Sequence, residues 1–437
     1  MSRAPRPRPL PARDRPRPLP APDVPRLMTP GEQLAVLLSR PGTELLARLG
    51  QQPLSPAEAL RLGTELRADY PAELVAAALA QHELRIAARA KFSRAMRMFF
   101  TRDGLEQASG EVVAQHRRGR YPAGGQLADL CCGIGGDLIA LADGHPVRAV
   151  DADPVHLRMA EANAAVYGVA GQVRFEHGDV RDTDLSGVTA AFIDPARRTG
   201  RGRLRPGDSE PPLAWCLDLV SRVSQLGIKA APGIPREPVP PGWETEFIAV
   251  GRELKEAALW SPALARSATR ATVLPGGHTL TPQPGPPVPV APPGPYLLDP
   301  NPAVTRAGLV AELARATGGW QIDEQIAFLC TDQPVRTPFA RTLQVLDSGR
   351  WHQRELSGRL RALGIGSVDI RRRGLAGDVA QIRRQLKLSG PHRATLIMTR
   401  AGDRPWALIC QDLPLTPPAP DAPLPAADRI DETPRRS

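Results

Sequence analysis

The chain has 437 residues, enough for two to four folded units at roughly 100–200 residues each, so a miniature scaffold is excluded. Basic residues exceed acidic ones by 56 − 46 = +10, yet only four of the 56 are lysines (Lys91, Lys229, Lys255, Lys387), so the surplus reflects a preference for arginine and argues weakly for a polyanionic partner. No stretch approaches 18 apolar residues and no apolar run follows the basic N-terminus, which predicts no membrane span, no secretory leader and a cytoplasmic protein.

Five cysteines, Cys131 and Cys132 adjacent, make neither a disulfide framework nor a metal-ligand spacing, and no metal is predicted. Residues 1–27 alternate Arg and Pro without an apolar face and read as a disordered basic arm. Thr29 is placed to cap a helix, and Leu34, Leu37, Leu38, Leu45 and Leu46 then recur at helical spacing. Ser55-Pro56-Ala57-Glu58 opens another helix, and the pattern predicts a helical unit over 28–120.

Strand-like segments follow at 127–130, 146–152, 173–179, 189–194, 226–231 and 244–250, with helical patterns between them. That alternation predicts a parallel sheet built of right-handed crossovers in a core over 121–280. Residues 281–295, TPQPGPPVPVAPPGP, read as a stiff extended linker between two domains. Beyond it, 296–413 predicts a smaller α/β unit with helices over 305–317 and 378–388 and strands near 342–346, 366–371, 394–399 and 406–410. The Pro-rich end, 414–437, reads as a disordered tail.

The segment LADLCCGIGGD (127–137) is a strand ending near Asp129, a loop with Gly133, Gly135 and Gly136, and Asp137 at a helix start. A phosphate cradle of the Walker type needs a Lys that this loop lacks, and a dinucleotide fingerprint needs a small residue where Leu138 stands. Carboxylates without a nearby Lys or Arg favour a cationic ligand, and the sulfonium of S-adenosylmethionine fits. Asp151, twenty-two residues after Asp129 at the end of the second strand, is placed for ribose hydroxyls, and Asp179 after the third strand for the adenine amine.

DLCCGIGGD, AVDADP, HGD and FIDPARR resemble the successive motifs of class I S-adenosylmethionine-dependent methyltransferases, and the core also resembles trimethylguanosine synthase. The lead-in KFSRAMRMFFTRDGLEQASGEVVAQHR (91–117) and the later YLLDPNPAVTRAGLVAEL (296–313) and IRRRGL (370–375) are similar to bacterial methyltransferases with a THUMP-like C-terminal domain. The resemblance implies a Rossmann-like core, a helical N-terminal unit and a smaller α/β THUMP-like domain. It implies Asp129, Cys131, Gly133, Gly135, Asp151, Asp179 and Gln107 at the cofactor, and RNA as the partner.

In this fold the residue after the fourth strand faces the methyl group. Here it is Asp194, which Pro195 restricts to extended geometry, so its carboxylate is a candidate catalytic acceptor. Pro195, Arg197 and Arg198 are candidate substrate contacts. Ala196 and Arg197 replace the Pro-aromatic pair of amine methylases, which puts an exocyclic amine target in doubt. D-P-A-R also resembles uridine carbon-5 methyltransferases, but Ile228-Lys229-Ala230 stands where they carry a nucleophilic Cys. Where arginine is the default cation, a retained lysine marks a place to look for local chemistry, and Lys229, ending the fifth strand, is the second catalytic candidate. Small-molecule or protein methylation, and a catalytically silent RNA-binding protein, remain the rival readings. Arg371, Arg372 and Arg373, with Arg383, Arg384 and Lys387, are predicted to form one basic face of the second domain.

Overall fold

A computed structural model describes residues 28–413 except 52, 197, 200, 201, 204–208, 236, 376, 387 and 403, and only the backbone of 198, 199, 202, 203 and 353. The Arg-Pro arm, the Pro-rich tail, Arg197 and Lys387 therefore lie outside the described residues. The chain divides into two compact units between Glu83 and Leu84.

The first unit is helical. Thr29 caps α1 (Pro30–Leu38), accepting from the Glu32 amide while the Glu32 carboxylate returns to the Thr29 amide at 2.8 Å, and Ser55 and Glu58 repeat this box at α3 (Pro56–Leu66). Ser39 ends α1 and caps α2 (Arg40–Arg48), so the leucine pattern is carried by two helices, burying Leu34, Leu37, Leu45 and Leu46. α4 (Ala72–Ala88) straddles the division.

A helical unit reaching residue 120 is corrected by this division. After α5 (Arg102–Gln107) and α6 (Glu111–Arg118), the chain enters a nine-stranded sheet. Its strands are β1 (Gln126–Leu130), β2 (Val147–Asp151), β3 (Val173–His177), β4 (Val188–Ile193), β5 (Gln225–Ala230), β6 (Glu244–Val250), β7 (Glu253–Trp260), β8 (Thr269–Leu274) and β9 (His278–Leu280). His116, Arg117 and Arg120 reach Glu246, Glu256 and Glu244 on β6 and β7, so α6 and its following turn are fastened to the sheet by a histidine hydrogen bond and two arginine ion pairs. Burial works against the Glu246 charge, but His116, Thr272 and Arg120 outweigh it and hold the carboxyl at about 2.

The strand order is β9-β8-β6-β7-β5-β4-β1-β2-β3. β3, β2, β1, β4 and β5 are parallel, with α7 (Leu138–Leu141) and α8 (Pro154–Tyr167) between the early strands and α9 (Leu213–Asp218) before β5. β7 runs antiparallel to both neighbours, which corrects the all-parallel reading: only Gly251 and Arg252 separate β6 from β7, and so short a connection permits only a hairpin. β8 and β9 extend the sheet beyond the predicted strands.

After the Pro-rich segment a seven-stranded sheet forms from β10 (Tyr296–Pro300), β11 (Trp320–Gln321), β12 (Leu329–Thr331), β13 (Ala340–Arg350), β14 (Ile365–Arg372), β15 (His392–Ala401) and β16 (Arg404–Asp412), ordered β11-β12-β10-β13-β16-β15-β14. α12 (Gln353–Ala362) and α13 (Val379–Gln385) cover it through Leu356, Leu360 and Ile382. The helix predicted over 305–317 is two, α10 (Pro302–Ala307) and α11 (Val310–Thr317), divided at Gly308 with φ +75°.

Residues 281–295 do not act as a spacer. Arg315 binds the Gln283 and Pro286 carbonyls, Trp320 binds that of Pro292, and the Val290 segment pairs with Gln321. One apolar cluster joins Leu226, Phe247 and Ala271 of the first sheet to Leu298, Val304, Leu313 and Leu329 beyond the linker, so burial fuses what composition separates. The single basic face is corrected too. Arg373 turns inward to Asp299 (3.2 Å) and over the Phe328 ring, and Arg371 is paired with Asp369.

Among the described residues no helix is long and apolar enough to cross a membrane, and no cluster of His, Cys, Asp and Glu is placed to hold a metal.

Candidate active site

The parallel strands end on one side of the sheet, and β1, β2, β4 and β5 deliver Asp129, Asp151, Asp194 and Lys229 there. The turn after β1 is tight: Cys131 has φ +60°, a left-handed conformation uncommon outside glycine, and Gly133 and Gly135 have φ +53° and +86°. The Asp151 carboxylate steadies this loop, accepting from the Gly133 amide at 2.7 Å and the Asp153 amide at 2.8 Å. Burial raises the Asp151 pKa against the pull of those two amides. It also pushes the Cys131 thiol well up, so Cys131 is no thiolate nucleophile.

The glycines divide the work differently from expectation. A Cβ on Gly135 would meet Cα of Ala160 in α8 at 3.2 Å, so Gly135 serves helix packing, whereas a Cβ on Gly133 would enter open space. Gly133→Val is expected to lose cofactor affinity at a stability cost of about 1–2 kcal/mol from its left-handed backbone. Gly135→Val adds the clash with α8 and should melt at a lower temperature than Gly133→Val. Calorimetry and thermal melts on both variants check this; equal melting temperatures would contradict the division.

Asp129 is 1% exposed, and both its carboxylate oxygens are buried without a hydrogen-bond partner among the described residues. Burial, joined by the charges of Asp194 and Asp151 and opposed by Arg117 and Lys229, pushes it up to about 8. A buried acceptor pair awaiting donors suits a ligand ammonium. Asp137, the other loop carboxylate, is spoken for: with Glu256 it holds the fully buried Arg117, which also lies 4.1 Å from the Phe192 ring centroid. Sequence reading counted Asp137 only as a second loop carboxylate and missed Arg117, whose partners lie in β7 and in the loop.

Asp194 follows β4, with its amide bonded to the Leu130 carbonyl. Its Oδ2 accepts from Lys229 Nζ at 2.6 Å, and the same amine donates to the main-chain carbonyl of Gln107 at 2.9 Å. The Gln107 side chain is exposed, so its link to the site runs through the backbone. These residues, Pro195 and Glu256 line a cavity of about 540 Å³. Asp179 stands apart at the end of β3, gripped by Arg181, which also binds Glu210. Glu210 in turn bridges the backbone of Ala196. Arg197 lies outside the described residues, and Arg198 enters a two-residue strand paired with Arg203. Lys255 pairs with Glu253 at the surface, and the buried Glu256 belongs to Arg117.

A family model described as RNA cap guanine-N2 methyltransferase matches residues 125–199, one described as THUMP domain-like matches 340–412, and a domain of unknown function matches 31–88. An uncharacterized S-adenosylmethionine-dependent methyltransferase of Mycobacterium tuberculosis, found in two strains, is 38% identical over 314 residues, covering 69% of this chain and 85% of the relative. The chain belongs to the S-adenosylmethionine-dependent methyltransferases. A candidate methyltransferase from Porphyromonas gingivalis W83 shares the fold at TM-score 0.65 and 19% identity, covering 82% of this chain and 99% of that one. The chain therefore carries a methyltransferase core and a THUMP-like domain, and the cofactor is S-adenosylmethionine.

The site residues fit that cofactor through the orphaned Asp129 carboxyl and the strand-end Asp151. The Asp129 carboxyl is protonated in the free protein up to about pH 8 but ionises near 3.8 when unfolded, so it subtracts stability progressively as pH rises between those values. A ligand ammonium beside Asp129 would favour the carboxylate, and on that reading binding at pH 7 should expel a proton and affinity should rise toward pH 8. Titrations with S-adenosylhomocysteine at pH 7 should give enthalpies that differ between phosphate and Tris in proportion to buffer ionisation. Identical enthalpies would remove Asp129 from the ammonium site.

Proposed function

We propose that this methyltransferase modifies RNA, with the acceptor atom held by Asp194 and the Asp194–Lys229 pair as the reacting centre. When bound, the cofactor supplies an electrophilic methyl group on its sulfonium. Asp129 receives the cofactor ammonium, Asp151 the ribose hydroxyls and Asp179 the adenine edge, while Cys131 and Gly133 shape the loop. Lys229 occupies Oδ2 of Asp194, which leaves Oδ1 to accept a proton of the incoming nucleophile and aim its lone pair. Pro195 fixes the carboxylate's direction, and Arg197 and Arg198 are assigned to substrate phosphate or base contacts.

A covalent route has no support, since Cys216 is fully buried in α9 and bonded to the Pro211 carbonyl. The observation that carries the reading is the Asp194–Lys229 pair at the strand ends, open to the cavity and in the electrostatic reach of Asp129. The matches to RNA cap guanine-N2 methyltransferase and THUMP domain-like families support RNA as the substrate. Nucleoside mass mapping of total RNA from a strain lacking this chain tests it. One methylated nucleoside should disappear; an unchanged nucleoside profile would overturn RNA as the substrate.

A further inference from the structure

In a chain where arginine is the usual cation, three of the four lysines, Lys91, Lys229 and Lys255, line the cavity beside Asp194. The cavity is nevertheless no anion site. Asp194, Glu106, Glu253 and Glu256 line it as well, and the amines bind protein acceptors. Lys91 Nζ donates to three main-chain carbonyls, those of Leu105 (2.7 Å), Glu106 (3.1 Å) and Ala108 (2.9 Å). An ammonium has three protons, so these bonds use them all.

The carbonyls belong to the C-terminal end of α5, where a helix leaves carbonyls unsatisfied and a cation is favoured. The one carbonyl skipped in the run from 105 to 108 is that of Gln107, which turns to Lys229. At its other end α5 is tied down by Thr101, whose hydroxyl accepts from the Gly104 amide and bonds the His156 ring at 2.9 Å.

We propose that Lys91 is a positioning residue for the reacting pair: by binding the carbonyls on both sides of Gln107, it fixes the peptide that orients the Lys229 amine against Asp194. A compact amine suits three convergent acceptors, and a planar guanidinium does not, which accounts for a lysine at this position. The latch is sensitive to pH. Burial first, then the charges of Lys229 on β5 and Lys255 on β7, bring Lys91 down to about 8 against the pull of Glu106 on α5 and Glu256 on β7. A neutral amine has two protons for three carbonyls, so the latch loosens above that pH.

This inference rests on the Asp194–Lys229 reading but is tested without a substrate. Protein labelled with ¹³C and ¹⁵N in lysine gives four side-chain signals, assigned by single substitutions. Because Asp129 also titrates near 8 and senses Lys229, the titration is read in an Asp129→Asn background. The Lys229 signal should inflect at the Lys91 midpoint, and Lys91→Met should shift the Lys229 signal and abolish that inflection. A Lys229 signal that stays flat while Lys91 titrates overturns the proposal, even if Lys91→Met fails to fold. RNA methylation can stand when this fails, and the latch can stand when RNA methylation fails.

Discussion

Asp194→Asn is expected to bind S-adenosylmethionine as the wild type does and to transfer methyl about 10²–10⁴-fold more slowly in a single turnover, the usual worth of a positioned proton acceptor. The amide still offers Lys229 an acceptor where the carboxylate now binds it at 2.6 Å, so the buried amine is not abandoned. What is lost is the charge that draws the nucleophile's proton. Removing that charge also relieves Asp129, whose ionisation Asp194 opposes, so cofactor affinity has no reason to fall. Calorimetry and a rapid-quench assay separate the two effects. A wild-type single-turnover rate would move the catalytic role away from Asp194.

The largest stability effect should come from Arg117→Met. Arg117 is fully buried and satisfies Asp137 and Glu256, themselves 5% and 3% exposed, while donating to Ser109 at 3.3 Å. Methionine fills much of the space but leaves two carboxylates without a cation, which costs roughly 3–5 kcal/mol. Arg118→Met is the control: that side chain is 41% exposed and stands 3.7 Å from the exposed Asp143, so its loss should cost under about 1 kcal/mol. Urea unfolding decides, and equal costs for the two variants would contradict the buried network.

Which parts of this were readable in the chain follows from the range of the interactions. The capping boxes at Thr29 and Ser55 depend on partners three residues away, and local sequence carries such signals. The methyltransferase core was legible because its motifs fall at successive strand ends, and the THUMP-like domain through the segments at 296–313 and 370–375. The roles of Asp137 and Arg373 were not, because their partners are Arg117 and Asp299, twenty and seventy-four residues away. The same limit hid the join across 281–295, where composition reads as a linker but the decisive contacts come from Arg315 and Trp320. Gly135 was assigned to the ligand because the loop pattern does not reveal that α8 returns against it. Lys229 was legible only through its rarity, and its bond to the Gln107 carbonyl needed the fold.

The most direct test of the account is transfer of an isotopically labelled methyl group by the purified full-length protein, offered separately the RNA, the protein and the small-molecule fractions of a strain that lacks it. Label should enter RNA, in one nucleoside, with the wild-type protein and fail to do so with Asp194→Asn. Label confined to the protein or small-molecule fraction, or equal RNA labelling by both proteins, would contradict it.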